Sequence, residues 1–166
     1  AIKFVISQKR KDFNDLINKS FLITGGATIE KIDSARIITN NSSGEMSLLI
    51  AQVARFRGAK VTYIHGPLRL KSEITEGIEC YEVQNGSELN NLVKDEIHNY
   101  DYFFMNAAVA DIKLKKDFTQ KISKNNLKDH LSKNLELVPD ILKNVSSLKR
   151  ENQLFVGFCA FTGTLE

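Results

Sequence analysis

An α/β fold with a mostly parallel sheet is predicted by three features of this 166-residue chain. Short apolar runs rich in β-branched and aromatic residues recur along it, helix-length amphipathic stretches lie between them, and glycine or small polar residues close the runs. Strand and helix therefore alternate, and a parallel connection needs the crossover that a helix supplies.

Residues 1–20 are polar and read as an N-terminal helix or a linker. The first buried strand is predicted at Phe21–Thr24, followed by the glycine loop Thr24-Gly25-Gly26-Ala27-Thr28. Met46, Leu49, Ile50, Val53 and Ala54 fall at helical spacing and predict a helix from Gly44 to Phe56. Lys60–Ile64 reads as the second strand. Leu89, Leu92, Val93 and Ile97 predict a helix from Ser87 to Tyr100, with Ser87 as its N-cap. Strands are expected again at Tyr102–Met105 and Leu154–Phe158. Between them, Ile112 to Asn134 is polar, lysine-rich and weakly periodic, the pattern of a mobile flap. No internal repeat or low-complexity tract is visible.

Composition narrows the class. The chain has the length of one domain, and 42% apolar with 26% charged residues supports a single core and a hydrated surface. No stretch approaches the ~20 consecutive apolar residues of a membrane span, and the first residues lack a signal-peptide core, so neither a membrane nor a secreted protein is expected. Cys80 and Cys159 make no disulfide framework or metal pattern, which favours a reducing compartment, the cytoplasm. The formal charge of +3 is uneven: six lysines against Asp117 give Ile112–Lys128 a charge of +5, leaving the remainder at −2. Nucleic-acid binding wants a broad basic face, so a single basic segment suits a compact polyanion better, although charge alone reads first as a solvated loop.

In a parallel sheet of this kind, ligands gather at the C-terminal strand ends, where backbone N–H groups and helix N-termini converge. Gly25-Gly26 reads equally as a tight turn or as a nucleotide loop, since neither G-x-G-x-x-G nor G-x-x-x-x-G-K-[ST] is present. The missing dinucleotide fingerprint also makes a dehydrogenase a lesser reading. In Arg36-Ile37-Ile38-Thr39-Asn40-Asn41-Ser42-Ser43-Gly44, one serine reads as a helix cap, while the arginine, carboxamides and hydroxyls together suit polarised oxygens at a helix N-terminus. An asparagine amide held there is able to donate to developing negative charge. In Asn106-Ala107-Ala108-Val109-Ala110-Asp111 the alanines are either core packing or room for a bulky ligand, and Asp111 is either a turn cap or a fixed acceptor. Lys121, on the presumed flap, is a point charge for a phosphate. His65, His98 and His130 show no ligand spacing and read as surface or satisfied histidines.

These motifs, with Gly58-Ala59-Lys60-Val61-Thr62, His65-Gly66-Pro67, Lys121-Ile122, Pro139-Asp140-Ile141-Leu142 and Val156-Gly157-Phe158, follow one another in the order and spacing of phosphopantothenoylcysteine synthetase. The chain resembles that family over about residues 20 to 162. The resemblance implies a Rossmann-like three-layer α/β sandwich, with residues 21–166 as the nucleotide-binding synthetase domain. It implies a ligase of coenzyme A biosynthesis that uses a nucleoside triphosphate, CTP in most bacteria and archaea, to activate the carboxylate of 4′-phosphopantothenate as an acyl-cytidylate. L-Cysteine then displaces the nucleotide. By match of position, Asn40 would steady the acyl carbonyl and Lys121 would assist catalysis and bind nucleotide. Arg36, Ser42, Ser43, Ala107 and Ala108 would belong to the substrate region. Gly25, Gly26, Asp111, Pro139, Asp140, Ile141, Leu142 and Phe158 would hold the nucleotide.

The resemblance further implies Mg²⁺ arriving with CTP, no protein metal ligands, no tightly bound cofactor, a homodimer, and a fused or associated flavin-dependent decarboxylase domain. The chain departs from the family pattern at Glu45 and Ser47, where lysine and glycine are usual, and at Phe161, where glutamate is usual. The family's domain runs about fifty residues beyond the position of Glu166, so its C-terminal part is expected to be missing here. A catalytically idle nucleotide- or flavin-associated binding module of the same fold is the alternative function.

Overall fold

The computed structural model describes residues 14–67, 75–116 and 118–160. Its strands are β1 (Ser20–Gly25), β2 (Ile29–Lys31), β3 (Ile37–Thr39), β4 (Lys60–His65), β5 (Glu79–Glu82), β6 (Tyr102–Met105), β7 (Ile112–Leu114), β8 (Leu135–Leu137) and β9 (Leu154–Gly157). Its helices are α1 (Glu45–Phe56), α2 (Gly86–Glu96), α3 (Lys124–Asn134) and α4 (Ile141–Ser146).

Five strands form one parallel sheet in the order β5-β4-β1-β6-β9. Because successive side chains of a strand point to opposite faces, β1 serves two cores. Leu22 packs with Ile64, Phe103, Leu89, Val93 and Val145, under α2 and α4. Phe21 and Ile23 pack on the other face with Tyr63, Leu48, Ala51 and Ala54, under α1. The predicted Rossmann-like α/β sandwich is what forms.

The details differ where local chemistry outweighs pattern. Helix α2 is capped by Asn85, whose side chain accepts from the Glu88 N–H at 2.9 Å, while Glu88 reaches back to the Gln84 N–H at 2.7 Å. That reciprocal pair satisfies two helix-end donors, which leaves Ser87 inside the first turn, not at the cap. Strand β5, Glu-Cys-Tyr-Glu, is exposed throughout and carries no apolar signal. The lysine-rich segment read as a flap contains β7, which pairs antiparallel with β8, and α3, none of whose residues is buried.

Helix α1 presents Ser47, Leu48, Ala51 and Ala54 to the sheet. Its bulkier residues Met46, Leu49 and Val53 stay more than half exposed and line an apolar groove of about 470 Å³ with Phe21, Tyr102, Phe104 and Leu154. Small residues let the helix sit close. The approach is tightest at Gly25, where an added Cβ would lie 2.0 Å from Ser47 Oγ and 2.1 Å from the Tyr63 hydroxyl. Those two hydroxyls share a buried 2.9 Å hydrogen bond, and burial raises the Tyr63 pKa against the opposing pull of Ser47. Among the described residues no helix is long and apolar enough to cross a membrane.

Gly25→Ala therefore forces α1 away from β1 and is expected to lower stability by about 1–3 kcal/mol. The readout is a reduced urea midpoint at unchanged slope; a midpoint equal to the parent's would contradict the close approach.

Candidate functional site

The site grows from the C-terminal ends of β1 and β6, which remain coupled after the strands stop. The Ala108 N–H donates to the Gly26 carbonyl at 2.9 Å, and the Thr28 N–H donates to the Ala108 carbonyl at 3.3 Å. Two fully buried threonines complete this junction. Thr24 Oγ1 accepts from the N–H groups of Asn106 and Ala107, both at 3.2 Å, and Thr28 Oγ1 accepts from the Ala110 N–H at 3.1 Å. The hydroxyls hold the 106–110 loop open in the shape a strand end would otherwise lose.

The β2–β3 hairpin docks on this junction. Thr39 Oγ1 donates to the Thr28 carbonyl at 2.8 Å, and the Asn40 amide donates to the Val109 carbonyl at 2.8 Å. From Asn40 the chain turns into α1 through Gly44, whose φ of +76° suits glycine. Neither serine caps the helix in the usual way. Ser42 Oγ accepts from the Gly44 N–H at 3.4 Å and Ser43 Oγ from the Glu45 N–H at 3.3 Å, so both order the entry loop.

These elements enclose a cavity of about 590 Å³, a size suited to a nucleotide or a comparable small molecule. Asn40, Ser42, Ser43, Ala107, Ala108, Asp111 and Phe158, predicted from three separate stretches of sequence, all line it. Val109 and Asp111 also border a smaller recess of about 320 Å³, walled by Pro139, Asp140 and Ile141. Asp140 contributes there partly as the cap of α4, accepting from the Lys143 N–H at 3.0 Å.

Other predicted residues stand apart from the cavity walls. Gly25 packs under α1 as described, and Gly26, at φ +73°, supplies the carbonyl that Ala108 pairs with. Leu142 lies against Gly157, where an added Cβ would meet its Cδ2 at 2.6 Å. The Arg36 guanidinium donates to the Ile122 carbonyl at 2.5 Å, and Lys121 is exposed beside the buried Ile122. Phe161 and residues 1–13 lie outside the described residues.

The cavity also has members that the sequence did not single out as site residues, among them Met46 and Cys159. Its charged walls are Glu45 and Asp111, with no lysine or arginine among the described lining residues. His65 is buried, its Nδ1 2.8 Å from the Gly66 carbonyl, and His130 lies edge-on to Phe118. Among the described residues no three histidine, cysteine or carboxylate side chains cluster as a metal cage.

With this geometry the chain matches the C-terminal domain of DNA/pantothenate metabolism flavoproteins over residues 16–166. It belongs to that family. The coenzyme A biosynthesis bifunctional protein CoaBC of Vibrio cholerae is 37% identical over 151 residues, covering 91% of this chain and 37% of that protein. The Borreliella burgdorferi protein of the same name is 35% identical over 160 residues, covering 96% of this chain and 40% of its own length. The domain thus spans less than half the length of these curated relatives. A crystal structure of the C-terminal domain of CoaBC matches with a TM-score of 0.67 at 34% identity, over 84% of this chain and 62% of that one.

Thr24→Val leaves the Asn106 and Ala107 N–H groups without their acceptor and is expected to destabilise the domain by about 1–3 kcal/mol. Thr24→Ser keeps the hydroxyl and should recover most of that loss in thermal unfolding. A loss for Thr24→Ser with none for Thr24→Val would show that the methyl group, not the hydrogen bonds, matters.

Proposed function

We propose that this domain is the ligase that joins 4′-phosphopantothenate to L-cysteine with CTP, as one part of a bifunctional coenzyme A biosynthesis protein that also carries a flavin-dependent decarboxylase. Family membership and the names of the relatives support a role in coenzyme A biosynthesis. The observation that carries the reading is the single cavity uniting Asn40, Ala107, Ala108 and Asp111, with the Pro139–Ile141 recess adjoining it.

In this reaction a carboxylate oxygen of phosphopantothenate attacks the α-phosphorus of CTP, forming an acyl-cytidylate and releasing pyrophosphate. The cysteine amine then attacks the acyl carbon, CMP leaves, and the amine loses its proton. Activation of this kind is mostly positioning and charge stabilisation, so it needs neither a nucleophilic cysteine nor a catalytic histidine. Asn40, tethered through one amide hydrogen to Val109, faces the cavity with the rest of its carboxamide and is assigned to the acyl carbonyl. Ala107 and Ala108 provide a low wall for the ligand. Asp111, at the join of cavity and recess, is assigned to the exocyclic amine of cytosine, an acceptor that favours an amino-bearing base over a keto one. Lys121 is assigned to the phosphates, as its exposed amine is unconfined by the cavity wall. The triphosphate is expected to bring Mg²⁺ with it. A homodimer is the expected assembly.

One observation favours a second reading, an idle nucleotide-binding module. Glu45 stands at the cavity, and with Asp111 it makes the described wall acidic towards an incoming triphosphate. Pyrophosphate release from CTP and phosphopantothenate without cysteine separates the two. Release supports the ligase, and CTP binding without release supports the module.

Removing one donor aimed at developing charge commonly costs a factor of ~10²–10³ in rate, so Asn40→Ala should slow pyrophosphate-coupled synthesis by about that much. Full activity of the variant in a steady-state assay with CTP, phosphopantothenate and cysteine would remove Asn40 from the mechanism.

A further inference from the structure

Asp33 lies in the turn of the β2–β3 hairpin, yet its side chain is fully buried. The hairpin closes without it: the Ile32 and Asp33 N–H groups both donate to the Arg36 carbonyl, at 2.9 and 3.3 Å. One carboxylate oxygen accepts locally, from the Ala35 N–H at 2.8 Å. The other reaches across 89 residues of sequence to accept the Ile122 N–H at 3.1 Å. Arg36 completes the contact from the same turn, donating to the Ile122 carbonyl and lying 3.4 Å from Asp33 Oδ2. A carboxylate and a guanidinium thus take both main-chain polar groups of one residue.

Burial pushes the Asp33 pKa up, but the Ala35 and Ile122 amides and the Arg36 charge outweigh it and hold the carboxyl below the ordinary aspartate value. The pair is therefore charged and matched. Burying such a pair is justified energetically only where its remaining hydrogen-bond capacity is met, and Ile122 meets it.

What the clamp holds is informative. Ile122 itself is buried, and the residue before it is Lys121, with its amine exposed. The same hairpin ends, one residue after β3, at Asn40, which is fixed to Val109 on the cavity wall. The hairpin therefore ties the main chain at Lys121 and the side chain of Asn40 to one rigid support.

We infer that Asp33 and Arg36 are positioning residues that act through the Ile122 main chain to hold Lys121 in register with the Asn40 cavity. This rests on Lys121 meeting the nucleotide phosphates, as proposed above. Arg36 acts here without touching substrate. A lysine on an unpinned segment must lose backbone freedom each time it binds, and that ordering is what the clamp removes in advance.

The test is a double-mutant cycle read as CTP affinity by titration calorimetry on the full chain. Asp33→Asn should weaken CTP roughly tenfold, within the five- to thirtyfold range set by ordering one residue. In a Lys121→Ala background the same substitution should change affinity less than about twofold. Amide hydrogen exchange at Ile122 should accelerate in Asp33→Asn while the urea midpoint shows the chain still folded. Arg36→Lys, which keeps the charge and loses the fork, serves as the second variant and should follow Asp33→Asn in both backgrounds. Equal losses in both backgrounds would overturn the clamp and leave the nucleotide assignment standing. CTP affinity unaffected by Lys121→Ala, or no CTP binding at all, would overturn the assignment and the clamp with it.

Discussion

The close junction between the ends of β1 and β6 is the constraint on which the site depends. Two strands that simply stopped would leave their following loops free to part. Here Thr24 and Thr28 take three N–H groups from the 106–110 loop, and backbone pairing continues from Gly26 to Thr28. That junction sets the floor of the cavity, and the β2–β3 hairpin is then seated on it by Thr39 and Asn40. Glycine at position 25 follows from the same geometry, because α1 must begin directly above the strand end. Gly66 repeats the theme on the other flank, where an added Cβ would lie 1.9 Å from the Ala27 carbonyl.

Electrostatics divides the site into two parts. The described cavity wall is short of positive charge, with Glu45 and Asp111 as its ionisable members. The lysines instead sit on the segment containing β7 and α3, most of them exposed. A polyanion entering this cavity would meet its opposing charge from that segment. The Asp33–Arg36 pair matters for that reason, since it fastens the lysine segment to the hairpin that builds the cavity. Glu45 and Asp111 leave the described wall without a positive charge of its own.

Much of this was legible in the sequence, and the reasons are specific. The four strands foreseen from their apolar runs form the sheet because buried parallel strands must be apolar on both faces. Strand β5 escaped because it is an exposed edge, and the short hairpins escaped because three-residue strands carry no usable period. Asn40, Ser42, Ser43, Ala107, Ala108, Asp111 and Phe158 could be grouped in advance because strand ends and helix N-termini gather ligand-facing residues and because their motifs resemble the synthetase family. Thr24, Thr28 and Asp33 could not be singled out. Their partners lie some eighty residues away, and a buried hydroxyl or carboxylate reveals its purpose only when the far amide is in view. Asn85 displaced Ser87 as a cap for a local reason, the reciprocal contact with Glu88.

The cavity at the crest of β1, β6 and β9 is the proposed seat of the acyl-nucleotide. A crystal structure of the chain with a non-hydrolysable acyl-cytidylate analogue tests this most directly. The analogue's carbonyl is expected within hydrogen-bond distance of the Asn40 amide, its chain along Ala107 and Ala108, and its base beside Asp111 and Pro139. Density for the analogue in the apolar groove over α1, or at any place that leaves this crest empty, would contradict it.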